Sequence, residues 1–319
     1  MTPLTPEPLN PAQADVLARL GAPMDERPSF PPELREELRR ELRHHLAPVV
    51  AELGDESMYL SKRAIDQAHG CEVRNLDEEA GTFEWSVPMA RGTLTHKAIE
   101  LSLSYSSATP PLELVNEAMS SLIGGDTSLG DFLRTCGDTP RAELTSAANG
   151  LLSHFLDQWP PLKREWRPVI EQTMRHEIAD GHITLSGRPD LTIGRATGNV
   201  AGKVIIDFKT GHRSDAHVAD MRFYALLDAL VIGVPPRMIA TYYLDQGVLH
   251  TEPVTEALIG AAVDRTVAAA YKIAELRRGR EPIRVAGPRC RWCPLRDECA
   301  VGTSYLDGDD PERFEADDI

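Results

Sequence analysis

The chain has 319 residues, 42% of them hydrophobic, and a formal net charge of −15 at pH 7. This length allows one large domain or a core with an extra lobe, and the composition supplies a normal buried core. The acid excess argues against a general polyanion-binding surface. The charge is uneven, however, and acids are dense in the tail from Asp307 to Asp318.

Neither a secretion signal nor a membrane span is predicted. Met1–Gln13 is proline-rich and polar, without a basic start or an apolar run. The apolar stretch from Tyr224 to Val234 is too short to cross a bilayer, and Asp228 interrupts it. The predicted location is the cytoplasm, where five cysteines are expected as metal ligands or buried thiols rather than disulfides.

The first half of the chain is predicted to be mainly helical. Prolines recur through residues 1–30, which indicates a flexible leader before a main domain over residues 31–302. Residues 107–160 form a predicted helical insertion with breaks at glycines. Other helices are expected over residues 33–53, 61–70, a stretch starting near Gly92, and 165–179.

The second half adds short β-branched segments bounded by Gly, Pro or Asp, which are typical of strands. Strands are predicted over residues 183–185, 191–193, 204–208, 240–243 and 247–251, and helices over 215–232 and 254–278. This order predicts an α/β fold with a small central mixed sheet flanked by helices. Residues 303–319 are predicted to be an acidic disordered tail.

The first chemical motif pairs Gly187–Asp190 with Ile206–Gly211. Asp207 ends a buried apolar strand, where a carboxylate is costly unless it binds a cation or accepts hydrogen bonds. Lys209 lies two residues later and so projects to the same face of that strand. Asp190, on a neighbouring strand, would complete a pair of oxygen ligands suited to Mg²⁺. An Asp–Lys ion pair at a strand end is the plain structural alternative, because this motif is short and common.

A histidine and a cysteine group accompany these acids. His96 precedes both acidic motifs, with Glu100 one turn later on the same helix face, although a lone histidine is more often structural. Near the C-terminus, Cys290, Cys293 and Cys299 follow the spacing C-x2-C-x5-C. A closed tetrahedral site would take its fourth ligand from one of the two remaining cysteines, Cys71 and Cys136.

Together these motifs resemble the RecB-type branch of the PD-(D/E)XK nuclease superfamily. The segments GRPD and VIIDFKTG are similar to its second and third motifs, and Gly92–Glu100 is similar to its G-x3-H-x3-E helix. The resemblance covers about residues 55–302. It implies a restriction-endonuclease-like core and phosphodiester hydrolysis.

The resemblance also implies roles for individual residues. His96, Asp190, Asp207 and the backbone carbonyl of Phe208 are expected to hold Mg²⁺ or Mn²⁺. Asp190 and Asp207 with Lys209 are the expected catalytic residues, with Lys209 positioning water or stabilising charge on the phosphate.

A further motif of this branch, Gln-x3-Tyr, is matched here only at Tyr224, because Asp220 replaces the glutamine. Tyr224 is an expected DNA contact, with core packing as the alternative. Arg188 and Arg222 are further candidate DNA contacts.

The arrangement of one cysteine before the core and three after it resembles that of the iron–sulfur-bearing members of the branch, which include AddB-like proteins and CRISPR-adaptation nucleases. This likeness implies a structural [4Fe–4S] cluster on Cys71, Cys290, Cys293 and Cys299, with Zn²⁺ as the alternative. Glu72 stands where relatives often have proline. Cys136, in the predicted helical insertion, is expected as a free buried thiol.

The expected function is a metal-dependent DNA nuclease, in particular an exonuclease, in DNA repair, recombination or defence. Its expected partners are single-stranded DNA or duplex ends and a helicase or recombination protein, with no membrane. A non-catalytic nuclease-fold subunit that binds DNA in a repair complex is the first alternative, favoured by Asp220 and the acid surplus. A redox or iron sensor is the second.

Overall fold

The computed structural model describes residues 8–81, 83–105 and 109–308. The chain divides into two compact units. The first comprises Met1–Glu41, Trp85–His176 and Ser186–Val263, and the second Leu42–Glu84, Glu177–Leu185 and Asp264–Ile319. Within the described ranges, no helix combines the length and apolar character needed to cross a membrane.

The described part of the N-terminal half is mainly helical. Its elements are α1 (Pro11–Leu20), α2 (Leu34–Leu53), β1 (Met58–Leu60), α3 (Lys62–His69), α4 (Glu72–Ala80), α5 (Val87–Ser104), α6 (Pro111–Ile123), α7 (Ser128–Thr135) and α8 (Asp138–Gln158). The last three helices occupy the stretch predicted as a helical insertion. They pack with α5 around buried residues such as Leu94, Ala118 and Leu152.

The C-terminal half carries most of the strands. Its elements are β2 (Val169–Ile170), β3 (Met174–Ile178), β4 (Ile183–Gly187), β5 (Leu191–Ile193), β6 (Val204–Lys209), α9 (Asp215–Ile232), β7 (Met238–Tyr243), β8 (Val248–Pro253), α10 (Glu256–Arg277) and α11 (Ala300–Asp307).

The first unit is built on a five-stranded mixed sheet with the order β2-β5-β6-β7-β8. Strands β6 and β7 are parallel, since α9 connects them, and the other neighbours are antiparallel. Strand β6 is central and buried along nearly its whole length, as its sequence VIIDFK requires. This architecture confirms the predicted mixed α/β fold and is consistent with a restriction-endonuclease-like core.

A shorter three-stranded sheet has the order β1-β4-β3. Strands β1 and β4 pair in parallel, with Met58 opposite Ile183 and Leu60 opposite Leu185. All four of these side chains are buried. The alternation along β1 leaves Tyr59 exposed between two core residues.

Two stretches differ from the sequence-based expectation. The stretch predicted as a flexible leader contains α1. Asn10 and Gln13 form a capping box at its start, and the side chains of Val16 and Leu20 are buried in the core. The helix predicted over residues 165–179 is wrong. The backbone there forms β2 and β3, and positive φ angles at Arg167 and Glu171 break any helix.

The predicted acidic tail is described only at its start. Helix α11 continues through Asp307, so residues 303–307 are helical rather than disordered. Residues 309–319 and residues 1–7 lie outside the described part of the chain.

Candidate active site

The end of β6 places a buried acidic residue, Asp207, beside a basic residue, Lys209. Asp207 is only 1% exposed, and Lys209 Nζ lies 2.6 Å from its Oδ2. Because side chains alternate along a strand, Phe208 points the other way, into an aromatic cluster with Phe155 and Trp159. The cluster anchors β6 and so holds Asp207 and Lys209 in place.

Asp190 meets the same strand end. Its Oδ2 accepts a hydrogen bond from the Phe208 N–H at 2.6 Å, and its Oδ1 lies 3.3 Å from His96 Nδ1. The structure therefore brings His96 to Asp190 and Lys209 to Asp207 at the same end of β6. Burial lowers the pKa of His96, but the carboxylates of Asp190 and Asp207 outweigh it and raise that pKa above 6.5.

Gly92 explains how α5 reaches this strand end. A Cβ at position 92 would lie 3.3 Å from Thr210 Oγ1, just after β6. That distance is tighter than most Cβ contacts, so glycine permits the close approach that carries His96, one turn later, to Asp190.

Glu171 is a site residue that sequence reasoning missed. Its N–H donates to the Asp190 carbonyl at 3.0 Å, and its Oε2 lies 2.8 Å from Arg188 Nε. Burial, followed by repulsion from Asp190, raises the Glu171 pKa to about 7 despite Arg188. The β-branched pair Val169–Ile170 before this acid is a strand signal, which the incorrect helix over residues 165–179 concealed.

Helix α9 supplies two more residues. Asp220 Oδ2 lies 3.7 Å from Lys209 Nζ. The Tyr224 hydroxyl donates to the Arg188 carbonyl at 2.9 Å, and its ring packs so closely on Gly187 that a Cβ there would lie 2.6 Å from Tyr224 Cε1. Burial and the nearby acids raise the Tyr224 pKa, so the phenol stays protonated as a donor. Tyr224 thus holds the turn that carries Asp190.

The remaining predicted residues lie around this centre. The Arg188 side chain is 62% exposed at the site. Arg222 forms a two-point ion pair with Glu252 at 2.6 and 3.1 Å, which occupies its guanidinium. Glu100 contacts Lys97 at 2.9 Å rather than His96.

The donor types suit a divalent cation. Two carboxylates, an imidazole and the Phe208 carbonyl are the oxygen and nitrogen ligands that Mg²⁺ or Mn²⁺ accept. In this structure the His96 ring contacts Asp190, and Asp207 contacts Lys209. Over residues 8–81, 83–105 and 109–308, no three His, Cys, Asp or Glu side chains are spaced to hold a metal ion.

A separate cysteine region lies in the second unit. Cys290 belongs to the 3₁₀ turn Pro288–Trp292, and Cys299 precedes α11 as its N-cap. A Cβ at Gly302 would lie 3.4 Å from Cys290 Sγ and 3.7 Å from Cys299 Sγ, so both sulfurs approach the same glycine. Cys293 follows Cys290 through a turn closed by its N–H and the Cys290 carbonyl.

The Cys71 segment is tied to the chain that precedes these cysteines. The Glu72 N–H donates to the Ile283 carbonyl at 3.0 Å, and Arg74 Nη1 donates to the Arg289 carbonyl at 3.3 Å. Cys136 belongs instead to the first unit, where it ends α7.

Comparison with known proteins identifies the class. A profile of the PD-(D/E)XK nuclease superfamily matches residues 59–300, about three quarters of the chain. The chain belongs to this superfamily, whose members are phosphodiester hydrolases.

Two crystal structures show a more distant likeness. One is of SSO0001, with 16% identity, a TM-score of 0.32, and coverage of 82% of this chain and 93% of that one. The other is a "Putative exonuclease" from Eubacterium rectale, with 12% identity, a TM-score of 0.45, and coverage of 78% and 92%. A search of curated proteins returned no match.

Proposed function

We propose that this chain is a metal-dependent deoxyribonuclease that hydrolyses phosphodiester bonds in DNA, acting as an exonuclease. The observation that carries the proposal is the meeting of His96 with Asp190 at 3.3 Å beside the Asp207–Lys209 pair at 2.6 Å. Four side chains from three separated stretches of sequence converge there, and all belong to the first unit.

Mg²⁺ or Mn²⁺ would be held by His96, Asp190, Asp207 and the Phe208 carbonyl. When bound, such an ion polarises the scissile phosphate and lowers the pKa of a coordinated water. The chain's own part is to fix the ligands: Phe208 N–H orients Asp190, and Tyr224 holds the turn before it.

Lys209 is the residue we assign to the reacting phosphate. Its ammonium would stabilise negative charge on the phosphate oxygens and orient the attacking water. It must leave Asp207 when that carboxylate takes up a ligand role. Asp220, 3.7 Å from Lys209 Nζ, offers the ammonium a second carboxylate and so keeps it near the site.

The exposure and ion pairs of Arg188, Arg222 and Tyr224 decide which of them we assign to DNA contact. Arg188 is the best placed, because its side chain is 62% exposed at the acidic centre, and a phosphate would replace or join Glu171 at its guanidinium. Arg222 would have to exchange its ion pair with Glu252 for a phosphate. Tyr224 is 1% exposed, so we assign it to positioning the Gly187–Asp190 turn rather than to base contact.

Cleavage of end-labelled single- and double-stranded DNA with Mg²⁺ or Mn²⁺ tests the proposal. Asp207→Ala is expected to reduce cleavage about 1,000-fold or more, whereas the exposed control Asp264→Ala keeps the wild-type rate. Full activity in Asp207→Ala would overturn the site. Resistance of circular DNA in the same assay supports the exonuclease assignment, and its cleavage would overturn that assignment.

Asp220 and the acid surplus favour a second candidate, a non-catalytic subunit that binds DNA in a repair complex with a helicase or recombination partner. DNA binding by the wild type without any cleavage would support it. The proposed setting in either case is cytoplasmic DNA repair, recombination or defence.

We also propose a structural [4Fe–4S] cluster on Cys71, Cys290, Cys293 and Cys299, with Zn²⁺ as the alternative. The approach of two sulfurs to Gly302 supports it. Anaerobically purified protein is expected to be coloured and to hold about four iron atoms and four sulfides per chain. Cys299→Ser should lose them and Cys136→Ser should not. Zinc without iron would overturn the cluster assignment.

A further inference from the structure

A cavity of about 410 Å³ lies in the first unit, away from the candidate active site. Its wall includes Val204, the first residue of β6, whereas Lys209 at the active site is the last. Five residue steps along a strand span roughly 17 Å. The cavity and the acidic centre therefore lie at opposite ends of the same central strand.

The cavity wall is strongly cationic. It contains four arginines (Arg27, Arg167, Arg195 and Arg237) and one acid, Glu165. In a chain with a net charge of −15, such a local excess of positive charge is unusual and points to an anion.

Arg237 is the most telling of these residues because it is only 8% exposed. Its Nη2 donates to the Leu20 carbonyl, but its Nε has no acceptor among the residues that the structure describes. Arg27 donates hydrogen bonds from its Nε and Nη2 to the Ala22 carbonyl, at 3.1 and 3.0 Å.

Neither Arg27 nor Arg237 has a carboxylate partner within the described ranges. Burial, and then repulsion by Arg27, lowers the Arg237 pKa to about 10. A buried guanidinium beside a second cation, with no counter-ion, is electrostatically unfavourable until an anion joins it. Planar guanidinium groups match the oxygen pairs of phosphate groups in particular.

Aromatic and glycine residues define the rest of the cavity. Trp159 and Trp166 line it, and Lys163 Nζ lies 5.6 Å from the centre of the Trp166 ring. A Cβ at Gly202 would lie 2.0 Å from the Arg195 carbonyl oxygen and 3.1 Å from Arg27 Nη1. Glycine at 202 is thus required for the close approach that brings Arg195 and Arg27 to one wall.

We propose that this cavity binds a phosphate-bearing nucleotide, with its phosphate at Arg27, Arg195 and Arg237 and its base against the tryptophan-lined wall. The volume suits a ligand of this size, and aromatic side chains accept any base through its face. The nucleotide is either a free mononucleotide or the phosphorylated end of a DNA strand. The site does not depend on the proposed hydrolysis.

Calorimetric titration of the full chain in a chelator tests the site without any contribution from a divalent ion. The probes are 2′-deoxyadenosine 5′-monophosphate, deoxyadenosine, inorganic phosphate, and one oligonucleotide with either a 5′-phosphate or a 5′-hydroxyl. We expect the mononucleotide or the phosphorylated oligonucleotide to bind and to quench tryptophan fluorescence. The probe that binds more tightly shows whether the natural ligand is a free mononucleotide or the phosphorylated end of a DNA strand.

Variants assign the binding to the cavity. Arg27→Met and Arg195→Met should each weaken binding about tenfold, and the exposed arginine variant Arg40→Met should not. These two variants keep the test sound if the buried Arg237→Met fails to fold. Asp207→Ala should bind normally, which separates this site from the nuclease site. Unchanged binding in Arg27→Met/Arg195→Met, no binding by any probe, or phosphate binding as tightly as the nucleotide would overturn the proposal.

Discussion

Two buried carboxylates, Asp207 in the first unit and Glu72 in the second, have opposite surroundings. Glu72 is 3% exposed and accepts hydrogen bonds from Arg280 at 2.6 and 3.0 Å and from the Ile283 N–H at 2.8 Å. Asp207 is 1% exposed and shares Lys209 with Asp220.

The charge balance around each acid separates the structural role of Glu72 from the catalytic role proposed for Asp207. Burial raises the pKa of Glu72, but Arg280 and the Ile283 N–H outweigh it, so that pKa is lowered overall. At the proposed active site, burial and then repulsion from Asp190 raise the pKa of Glu171. Burial lowers the pKa of His96, but Asp190 and Asp207 outweigh it, so that pKa is raised. Carboxylates crowded in this way repel one another, and pKa values perturbed by burial and neighbouring charge are typical of functional sites.

The largest expected effect is on catalysis. Asp207→Asn keeps the shape of the side chain and removes its charge, so cleavage should fall about 1,000-fold or more. The free energy of unfolding should stay the same or rise, because a charge leaves a crowded acidic site. Denaturant unfolding and the cleavage assay measure the two quantities. A loss of stability in this variant would show that Asp207 is structural.

Glu72→Ala should give the opposite result, with a large cost in stability. It leaves Arg280 and the Ile283 N–H without their acceptor, and the loss should be about 3 kcal/mol. Glu78→Ala is the matched control, since its ion pair with Arg74 is 31% exposed on the glutamate side and its loss should cost less than about 1 kcal/mol. Equal effects in the two variants would contradict the structural role of Glu72.

The stability that Glu72 contributes should also depend on pH. Its pKa in the folded chain is below 4.5, so the contribution is complete above pH 4.5 and is lost as the pH falls through the folded value. Acid unfolding of wild type and Glu72→Gln should therefore converge at low pH. Curves that stay parallel down to complete unfolding would exclude this linkage.

Glu171 should show the reverse dependence on pH, with a smaller effect. Its pKa is raised from 4.5 to about 7, so the folded chain retains a proton that the unfolded chain releases between these values. Stability is then greatest below pH 4.5 and is lost as the pH rises through about 7, by about 1–3 kcal/mol.

Glu171→Gln removes that titration and should stabilise the metal-free chain at pH 8 relative to wild type. Unfolding in a chelator between pH 5 and 8 measures the difference. A wild-type curve that runs parallel to that of Glu171→Gln over this range would show that the Glu171 carboxyl does not carry the raised pKa.

The comparison also shows what the sequence could predict. The shared orientation of Asp207 and Lys209 can be predicted from the sequence, because side chains two residues apart on a strand lie on the same face. The burial of β6 follows from its apolar residues. Asp228, which interrupts the apolar run of α9, is explained by Lys203, whose Nζ lies 2.5 Å away. That contact depends on packing between distant segments, which no local pattern encodes.

The roles of Glu171 and of the Glu72–Arg280 pair could not be predicted for the same reason. The β-branched pair before Glu171 indicates a strand, but the role of this acid arises only where it meets Asp190 and Arg188. Glu72 and Arg280 are 208 residues apart in the chain, so their pairing is visible only in the folded second unit.

The smallest expected effect tests how the acidic centre is supported. Tyr224→Phe removes the buried hydrogen bond to the Arg188 carbonyl but keeps the ring on Gly187, so it should cost about 1 kcal/mol of stability. A looser Gly187–Asp190 turn should lower kcat several-fold with little change in KM, because the ligand is misplaced rather than the DNA released. The exposed control Tyr59→Phe should change neither quantity. A rise in KM alone would instead assign Tyr224 to DNA binding, as the sequence motif first indicated.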